Sequence, residues 1–284
     1  MQMQVEIVDN ISRKLVSVLL PAIEQSQEVR IAVAFVSHRG LSMIEPSVKR
    51  SLQRGAYIEF LVGLDLSTTE PKALWTLYEL SQHEDNIELY CYTELGPSVV
   101  YHPKLYITNA KEEVTAVLGS SNLTSGGLKS NLEANVVIRA NINEEIISDV
   151  YATYNKLKFD PRRVEPDLEF LQLYEQLRER HRRREQSARR DKSSRKLMSE
   201  FREKAKTLRR PTPTSRDLVG WLRLVYEHLP EGEFTNQQIY AYEDEFQRYY
   251  PNNLNVRAKI RQQLQYLRDM GLVEHVSQAR WRKV

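Results

Sequence analysis

The first half of the chain alternates apolar runs of strand length with longer stretches whose apolar residues recur at helical spacing. The runs "VRIAVAFVS", "YIEFLVGLD" and "IELYCYTE" are rich in β-branched and aromatic residues, as buried strands are. Between them, "GLSMIEPSVKRSLQRGA" reaches Gly55, and "TEPKALWTLYELSQHED" opens with Thr69 before Pro71, which are helix end and start signals. Further strands are predicted at "QVEIVDN", "PKLYIT", "VTAVLGS" and "LEANVVIRA", with a helix at "ISRKLVSVLLPAIEQS". The pattern predicts an α/β domain with helices packed over a mixed sheet.

From about Asp167 the hydrophobic pattern becomes purely helical. The stretch from Asp167 to Arg210 contains neither glycine nor proline, which favours one long helix or two. The sequence "PTPTS" at 211–215 then interrupts the pattern and indicates a boundary.

The last segment has the pattern of a small helical domain with a terminal hairpin. "SRDLVGWLRLVYEHLP" and "TNQQIYAYEDEFQRYYP" are predicted helices that each end at proline, and "NVRAKIRQQLQYLRDMG" is a third with a continuous apolar stripe. "LVEHVSQARWRKV" favours two short strands around a turn. Three helices and a hairpin are typical of a winged helix, so we predict an α/β domain over 1–165, a basic helical connector over 166–213 and a winged helix over 214–284.

Charge is distributed unevenly along the chain, although the formal net charge is only +3. Residues 1–165 contain 16 basic and 21 acidic residues, whereas residues 178–210 contain 15 basic and five acidic ones. The Arg-rich stretch is therefore either a solvated helix face, a surface for a polyanion such as DNA, or a partner for the acidic first domain.

Composition is that of an ordinary globular protein, with 284 residues of which 41% are hydrophobic and 28% charged. No apolar run has the length needed to cross a bilayer, and the start "MQMQVEIVDN" lacks the features of a secretory signal. The single cysteine, Cys91, cannot form an intrachain disulfide. We therefore expect a cytoplasmic protein that does not act at a membrane.

One stretch contains side chains suited to phosphoryl chemistry. His102 and Lys104 are two residues apart on a predicted strand, so both side chains face the same side. An imidazole can attack phosphorus or transfer a proton near neutral pH, and an ammonium beside it neutralises phosphoryl oxygens. Asn122 follows the turn Gly119-Ser120-Ser121 and adds an amide donor, and Glu133 could fix the imidazole tautomer. Taken singly, each of these residues is also common on a solvated protein surface, where it has no catalytic role.

In their order and spacing, "HPKLYIT", "GSSNLTSGGL" and "NLEANVVI" resemble the signature of the phospholipase D superfamily, His-x-Lys followed by Asp and by Gly-Ser-x-Asn. The resemblance is strongest to its small nuclease branch, which includes metal-independent restriction endonucleases. It implies catalytic roles for five residues: the nucleophile His102, the phosphate-binding Lys104, the turn residues Ser120 and Asn122, and Glu133, which orients the histidine. The sequence departs from the signature at Asn109, where the family has aspartate, and in a longer gap before Gly119.

The family site needs two His-x-Lys motifs, and this sequence contains only one. The resemblance therefore implies a homodimer with one composite site at the two-fold interface. It also implies a phosphohistidine on one subunit, protonation of the departing 3′ oxygen by the other, and no requirement for a metal ion or cofactor.

The third helix of the last segment carries polar side chains off its apolar stripe, as a recognition helix does. The candidate DNA-binding residues of this helix, its start and the hairpin are Asn253, Asn255, Arg257, Arg261, Gln262, Gln265, Arg268, Gln278, Arg280 and Trp281. A winged helix that binds protein is the alternative for this segment. "VRAKIRQQLQYLRDMGLVEHVSQARWRKV" resembles the C-terminal winged helix of certain restriction enzymes, including some that require N6-methyladenine.

Together, a phosphodiesterase domain and a base-reading module are typical of a type II-like restriction endonuclease acting on double-stranded DNA. Two alternatives use the same fold: a phospholipase or phosphatidyl transferase, and a catalytically silent DNA-binding regulator.

Overall fold

The computed structural model describes residues 2–64, 69–92, 100–190, 196–197, 199–201, 203–204, 213 and 218–284. Much of the Arg-rich stretch and all of "PTPTS" except Pro213 lie outside the described residues. The chain forms two compact units, Met1–Arg195 and Lys196–Val284.

Eight strands of the first unit form one mixed sheet. They are β1 (Gln4–Val8), β2 (Glu28–Val33), β3 (Tyr57–Gly63), β4 (Ile87–Tyr92), β5 (Lys104–Ala110), β6 (Glu113–Gly119), β7 (Asn135–Asn141) and β8 (Arg163–Val164). Their order across the sheet is β1-β7-β6-β5-β2-β3-β4-β8. β2, β3 and β4 are parallel to one another, and every other neighbouring pair is antiparallel. β5 therefore joins the antiparallel half of the sheet to the parallel half.

Helices cover both faces of this sheet. They are α1 (Val16–Gln25), α2 (His38–Gln53), α3 (Pro71–His83), α4 (Glu145–Lys158) and α5 (Leu168–Arg190). α1, α2, α3 and the start of α5 enclose one hydrophobic core, and α4 encloses a second core on the opposite face. The predicted α/β architecture with a mixed sheet flanked by helices is confirmed.

The beginning of α5 is anchored on the first unit. Leu171 and Tyr174 are only 1% and 5% exposed, and the Tyr174 hydroxyl donates a hydrogen bond to the Thr69 carbonyl oxygen at 2.8 Å. The Thr69 hydroxyl in turn accepts from the Val36 amide at 3.3 Å. The boundary at residue 165 stays a prediction, but the helix that follows it packs against the α/β unit rather than standing free.

α4 is a helix that the hydrophobic pattern of the sequence does not predict. Among its buried residues are Ile147 and Tyr154, but charged and polar residues interrupt its apolar face. Its last turn contributes Lys158, which forms an ion pair with Glu59, a carboxylate only 1% exposed in β3. Because a buried charge is costly without a partner, this ion pair helps to fix α4 on the sheet.

The second unit is a winged helix. Its helices are α6 (Gly220–Glu227), α7 (Asn236–Tyr240), α8 (Glu243–Tyr249) and α9 (Val256–Asp269), and its strands are β9 (Glu233–Thr235), β10 (Val273–Ser277) and β11 (Arg280–Lys283). The predicted apolar stripe of α9 is buried: Val256, Ile260, Leu264 and Leu267 are at most 2% exposed. The terminal hairpin forms as predicted, and β9 adds a third strand beside β11.

One element of this unit differs from the sequence prediction. The single helix predicted over "TNQQIYAYEDEFQRYYP" is two short helices, α7 and α8, with Ala241 and Tyr242 between them. Three acidic residues, Glu243, Asp244 and Glu245, occupy the first turn of α8, where they favour a new helix start through the helix dipole.

Within the part of the chain that the structure describes, no helix combines the length and the apolar character needed to cross a bilayer.

Candidate active site

His102 and Lys104 lie where β5 begins, beside the carboxyl end of β2. Lys104 is in register with Val33 of β2, and the Ala34 amide donates to the Pro103 carbonyl oxygen at 2.9 Å. On the other side β5 pairs with β6, so the turn that follows β6 lies close to this point. The candidate residues therefore lie together at one end of the strands, where the antiparallel and parallel halves of the sheet join.

The two side chains contact each other directly. Lys104 Nζ is 2.7 Å from His102 Nδ1 and 2.9 Å from the His102 carbonyl oxygen. Lys104 is only 8% exposed, whereas His102 is exposed. With an ammonium at Lys104, Nδ1 accepts the hydrogen bond, and the proton of a neutral imidazole then lies on Nε2.

Electrostatics favour a neutral imidazole. Partial burial of the ring lowers the pKa of His102 below its ordinary value, and the charge of Lys104 lowers it further. Burial also lowers the pKa of Lys104, while the carboxylate of Glu133 acts in the opposite direction. A neutral imidazole keeps a lone pair on one ring nitrogen, and a cation beside it can neutralise phosphoryl oxygens.

A buried hydrogen-bond network fixes the turn after β6. Ser121 is fully buried; its amide donates to Asn135 Oδ1 at 3.2 Å, and Asn135 Nδ2 donates to the Ser121 hydroxyl at 2.9 Å. The Tyr106 hydroxyl donates to the Ser121 carbonyl oxygen at 2.9 Å. The turn is thus held from β5 and from β7 at the same residue.

The first residue of this turn must be glycine. A Cβ at Gly119 would lie 2.5 Å from Asn135 Oδ1, and it would also clash with the Ala134 carbonyl oxygen. The close approach of the turn to the start of β7 therefore depends on the missing side chain.

Asn122 is oriented by the backbone after β2. Its Oδ1 accepts a hydrogen bond from the Phe35 amide at 3.1 Å. Because an amide side chain has one oxygen and one NH₂ group, this contact turns Nδ2 away from Phe35. Nδ2 is then the donor that the side chain can offer to a phosphate oxygen.

Glu133 is held by the same turn rather than by the histidine. The Ser120 hydroxyl donates to Glu133 Oε2, and Asn131 Nδ2 donates to Oε1 at 3.2 Å. Among the contacts that the structure describes, no hydrogen bond joins Glu133 to His102. Within one chain the imidazole is therefore held by Lys104.

Asn109, at the position of the signature aspartate, lies at the other end of β5. It is in register with Glu28 at the start of β2, five residues from Lys104. At the rise of a strand this separation is about 17 Å. The departure from the signature therefore removes no group from the candidate site.

In the described segments, no three His, Cys, Asp or Glu side chains are grouped so that they could bind a metal ion.

On the winged helix, four of the candidate DNA-binding side chains follow one exposed face of α9. They are Arg257, Arg261, Gln265 and Arg268. Gln262 is half-buried, and its Oε1 accepts from Lys259 Nζ at 2.8 Å. The face has the charge and the amide groups that reading bases in a major groove requires.

Two of these arginines are already positioned by the unit itself. Arg257 pairs with Glu243 at 2.6 Å, and its guanidinium lies 5.4 Å from the centre of the Tyr240 ring. Arg261 Nη1 donates to the Tyr240 hydroxyl at 2.9 Å. Such contacts reduce the number of side-chain conformations that binding would have to restrict.

Of the candidate DNA-binding residues around this helix, two asparagines make hydrogen bonds at its start and two hairpin residues are exposed. Asn255 caps α9 by accepting from the Ala258 amide at 3.3 Å, and Asn253 Oδ1 accepts from the Asn255 amide at 2.8 Å. Gln278 and Arg280 are exposed at the tip of the hairpin. Both asparagines therefore have a role in shaping the start of the helix.

Trp281 lies in the core, which corrects its assignment to the DNA-binding surface. It is 6% exposed, and its indole N–H donates to Asn236 Oδ1 at 2.8 Å. With its ring packed and its one donor bonded, Trp281 joins β11 to the start of α7.

Sequence reasoning missed Phe35, Asn135 and Tyr240, which position candidate side chains. Their partners are far away in the sequence, so no local pattern marks them. Phe35 could have been suspected from its place just after β2, because ligands of α/β sheets bind beyond the carboxyl ends of parallel strands.

Three solved structures are similar to part of this chain. NucT from Helicobacter pylori is 18% identical over 55% of this chain and 96% of its own, with a TM-score of 0.42. The phospholipase D family member Nuc from Salmonella typhimurium is 16% identical over 55% and 93%, with a TM-score of 0.43. Phosphatidylserine synthase from Haemophilus influenzae is 12% identical over 64% and 46%, with a TM-score of 0.46.

Two family models match the chain in separate regions. Residues 19–157, which include the candidate active site, match the family described as "Cardiolipin synthase, PLD-like domain". Residues 217–283 match the family described as "Dam-replacing HTH domain". The chain is therefore similar to a phospholipase D-like domain in its first unit and to a Dam-replacing HTH domain in its second.

Proposed function

We propose that this chain is a type II-like restriction endonuclease that hydrolyses DNA phosphodiester bonds without a metal ion or cofactor and acts in the cytoplasm. The observation that supports it most is the direct contact of Lys104 with His102 next to an oriented Asn122, in a chain that also contains a DNA-binding type of winged helix. Phosphates are the same in every sequence, so the catalytic domain supplies the cutting and the winged helix the choice of site.

The proposed reaction has two displacements. In the first, His102 Nε2 of one subunit attacks phosphorus, the P–O3′ bond breaks, and the leaving oxygen takes a proton from Nε2 of the second subunit's histidine. In the second, water attacks the phosphohistidine, the P–N bond breaks, and the second histidine accepts the proton. The products are a 3′ hydroxyl and a 5′ phosphate. Lys104 and Asn122 donate hydrogen bonds to the phosphoryl oxygens as their charge develops.

The contact between Lys104 and His102 describes the ring before substrate binds. A neutral ring whose Nδ1 accepts from Lys104 has its proton on Nε2, so Nε2 has no lone pair with which to attack phosphorus. The nucleophile needs a proton on Nδ1 and a free lone pair on Nε2, and the general acid needs a proton on both ring nitrogens. We propose that the substrate phosphate draws the Lys104 ammonium away from Nδ1 and that each ring then takes a proton from solvent at Nδ1. The nucleophile's ring gives its Nε2 proton to solvent, and Glu133 accepts a hydrogen bond from Nδ1–H.

The proposal requires a homodimer. A single chain contains one His-x-Lys motif, and the reaction uses two histidines with opposite protonation states. A two-fold axis through one composite site brings them together with no second motif in the chain.

Plasmid cleavage in excess EDTA tests the proposal. Wild-type protein should cut DNA of suitable sequence, supplied both methylated and unmethylated, and His102→Ala should not cut, because the nucleophile and the acid are lost together. The matched control is His83→Ala, which removes an exposed histidine at the end of α3 and should leave cleavage unchanged.

The other outcomes identify the alternatives. Specific DNA binding with no cleavage of either plasmid by the wild type would indicate a DNA-binding regulator. Turnover of phospholipid vesicles with no effect on DNA would indicate a phospholipase or transferase. Cleavage that EDTA abolishes, or that survives His102→Ala, would overturn the proposed chemistry.

A further inference from the structure

Phe35 contacts three of the residues to which the proposed function assigns a role. It follows β2 and is half-buried at the edge of the sheet where β5 begins. Its ring contacts His102 and Lys104, and its backbone contacts Asn122. Phe35 belongs to none of the hydrophobic cores that the described residues form.

The ring of Phe35 makes an aromatic contact with the imidazole of His102. The two ring centres are 5.7 Å apart, and the planes meet at 71°, which is an edge-to-face contact. Lys104 Nζ is 5.9 Å from the centre of the Phe35 ring. His102 is exposed, so one hydrogen bond at Nδ1 would leave the ring free to tilt about that bond. The edge-to-face contact restricts this tilt.

The backbone of Phe35 is itself fixed on both sides. The Ala34 amide donates to the Pro103 carbonyl oxygen, next to His102. Val36 forms a bridge with Leu123, next to Asn122. Phe35 therefore lies between the two segments that contribute the candidate catalytic side chains, and its chain neighbours pair with both of them.

We propose that Phe35 is a positioning residue of the phosphodiesterase site, whose ring sets the plane of the His102 imidazole while its amide orients Asn122. The inference rests on the proposed function. The two effects are separable, because a side-chain substitution removes the ring and retains the amide. Loss of the ring should therefore impair the chemical step more than phosphate binding.

The comparison uses three variants. Phe35→Leu retains an apolar residue and removes the ring edge, and Phe35→Tyr restores an aromatic ring. Phe170→Leu is the control for loss of a partly buried phenylalanine, because Phe170 packs against the same hydrophobic core away from the site.

Steady-state cleavage of a plasmid should separate binding from chemistry. We expect Phe35→Leu to lower kcat by about ten-fold or more with KM within about two-fold, Phe35→Tyr to recover most of kcat, and Phe170→Leu to resemble the wild type. Equal losses in Phe35→Leu and Phe170→Leu, or a loss confined to KM, would overturn the inference.

Histidine NMR titration provides a readout that does not need activity. Among the described residues, the charged groups near the ring are Lys104 in β5 and Glu133 before β7. On the segment of Phe35 the next titratable side chain is His38. In Phe35→Leu the His102 ring becomes more hydrated, so its pKa should rise towards the ordinary value, with no such change in Phe170→Leu. An unchanged His102 titration would contradict the positioning role, even if the wild type cut no DNA. A shifted titration in a protein without nuclease activity would instead refute only the proposed function.

Discussion

The contact between Lys104 Nζ and His102 Nδ1 sets the state in which the imidazole meets a substrate. Because the pKa of His102 is lowered, the ring stays neutral to a lower pH than a free histidine does. Its tautomer is set by whichever group occupies Nδ1. In the proposed mechanism, a bound phosphate must therefore draw the Lys104 ammonium away before Nδ1 can take up a proton.

Gly119→Ala tests how strictly the turn that contains Ser120 and Asn122 is positioned. The added Cβ would clash with Asn135 Oδ1 and with the backbone of Ala134 and Asn135. We therefore expect the free energy of unfolding to fall by about 1–3 kcal/mol. We also expect DNA cleavage to be lost at temperatures where the protein remains folded. Urea denaturation and plasmid cleavage measure the two effects.

The control for this substitution is Gly55→Ala, at the far end of α2. Gly55 has a φ of +82° and free space around its Cβ position, so alanine should cost about 1–2 kcal/mol through strain alone. Cleavage should be retained. Equal activity in both variants would show that the turn tolerates displacement.

At the scale of single residues, the sequence predicts contacts between side chains that are close to each other along the chain. His102 and Lys104 are two residues apart, so the period of a strand is enough to bring them together. The contacts of Phe35 with Asn122 and of Asn135 with Ser121 span 87 and 14 residues, and they depend on which strands pair. The assignment of Trp281 to the DNA-binding surface has a different difficulty, since an aromatic residue near a hairpin tip is equally suited to the surface and to the core.

Among the elements, β5 has the largest effect on the site. It is antiparallel to both β2 and β6, so its first residues lie beside the end of β2 and the turn after β6. Strands and helices with regular apolar spacing are predictable, whereas the order β5-β2-β3 is not, because it depends on pairings between distant segments. α4 is missed because its charged residues, including Lys158, which pairs with Glu59 of the sheet, weaken its hydrophobic pattern.

Arg261→Ala tests α9 as a recognition element. In a His102→Ala background, which prevents cleavage, duplexes would first be selected from a random pool. The substitution should weaken binding to the selected sequence by about 10- to 100-fold, the effect of losing one base contact of about 1–3 kcal/mol, with a smaller effect on a scrambled duplex.

Arg223→Ala is the matched control, since Arg223 is also exposed and also pairs within the unit, with Glu227 on α6. It should bind both duplexes as the unsubstituted protein does. If both arginine variants weakened the selected and the scrambled duplex equally, α9 would not be reading bases.

At the scale of the whole molecule, the α/β unit and the winged helix are separate compact bodies in one chain. In the proposed function, the first cuts the DNA backbone and the second offers exposed arginine and glutamine side chains to the bases. Two copies of the chain would present two such surfaces for one composite site. A symmetric recognition sequence with two half-sites is the arrangement that matches this symmetry.

Subunit mixing tests the composite site. Wild-type and His102→Ala chains, differently tagged and mixed through unfolding and refolding, would form mixed dimers. If one site needs both histidines, cleavage at equal mixing should fall to about a quarter of the wild-type rate, the fraction of fully wild-type dimers. Light scattering on the same samples checks that dimers form. A rate of about one half, or cleavage by a monomer, would contradict the shared site.

The anchoring of α5 has a practical consequence for separating the two halves of the protein. The hydroxyl of Tyr174 reaches Thr69, and Thr69 supports Val36, the residue after Phe35. A fragment trimmed at residue 165 would lose this support and expose the apolar surface that Leu171 covers. A shortened protein intended to cut DNA without choosing sequences should therefore extend beyond Tyr174.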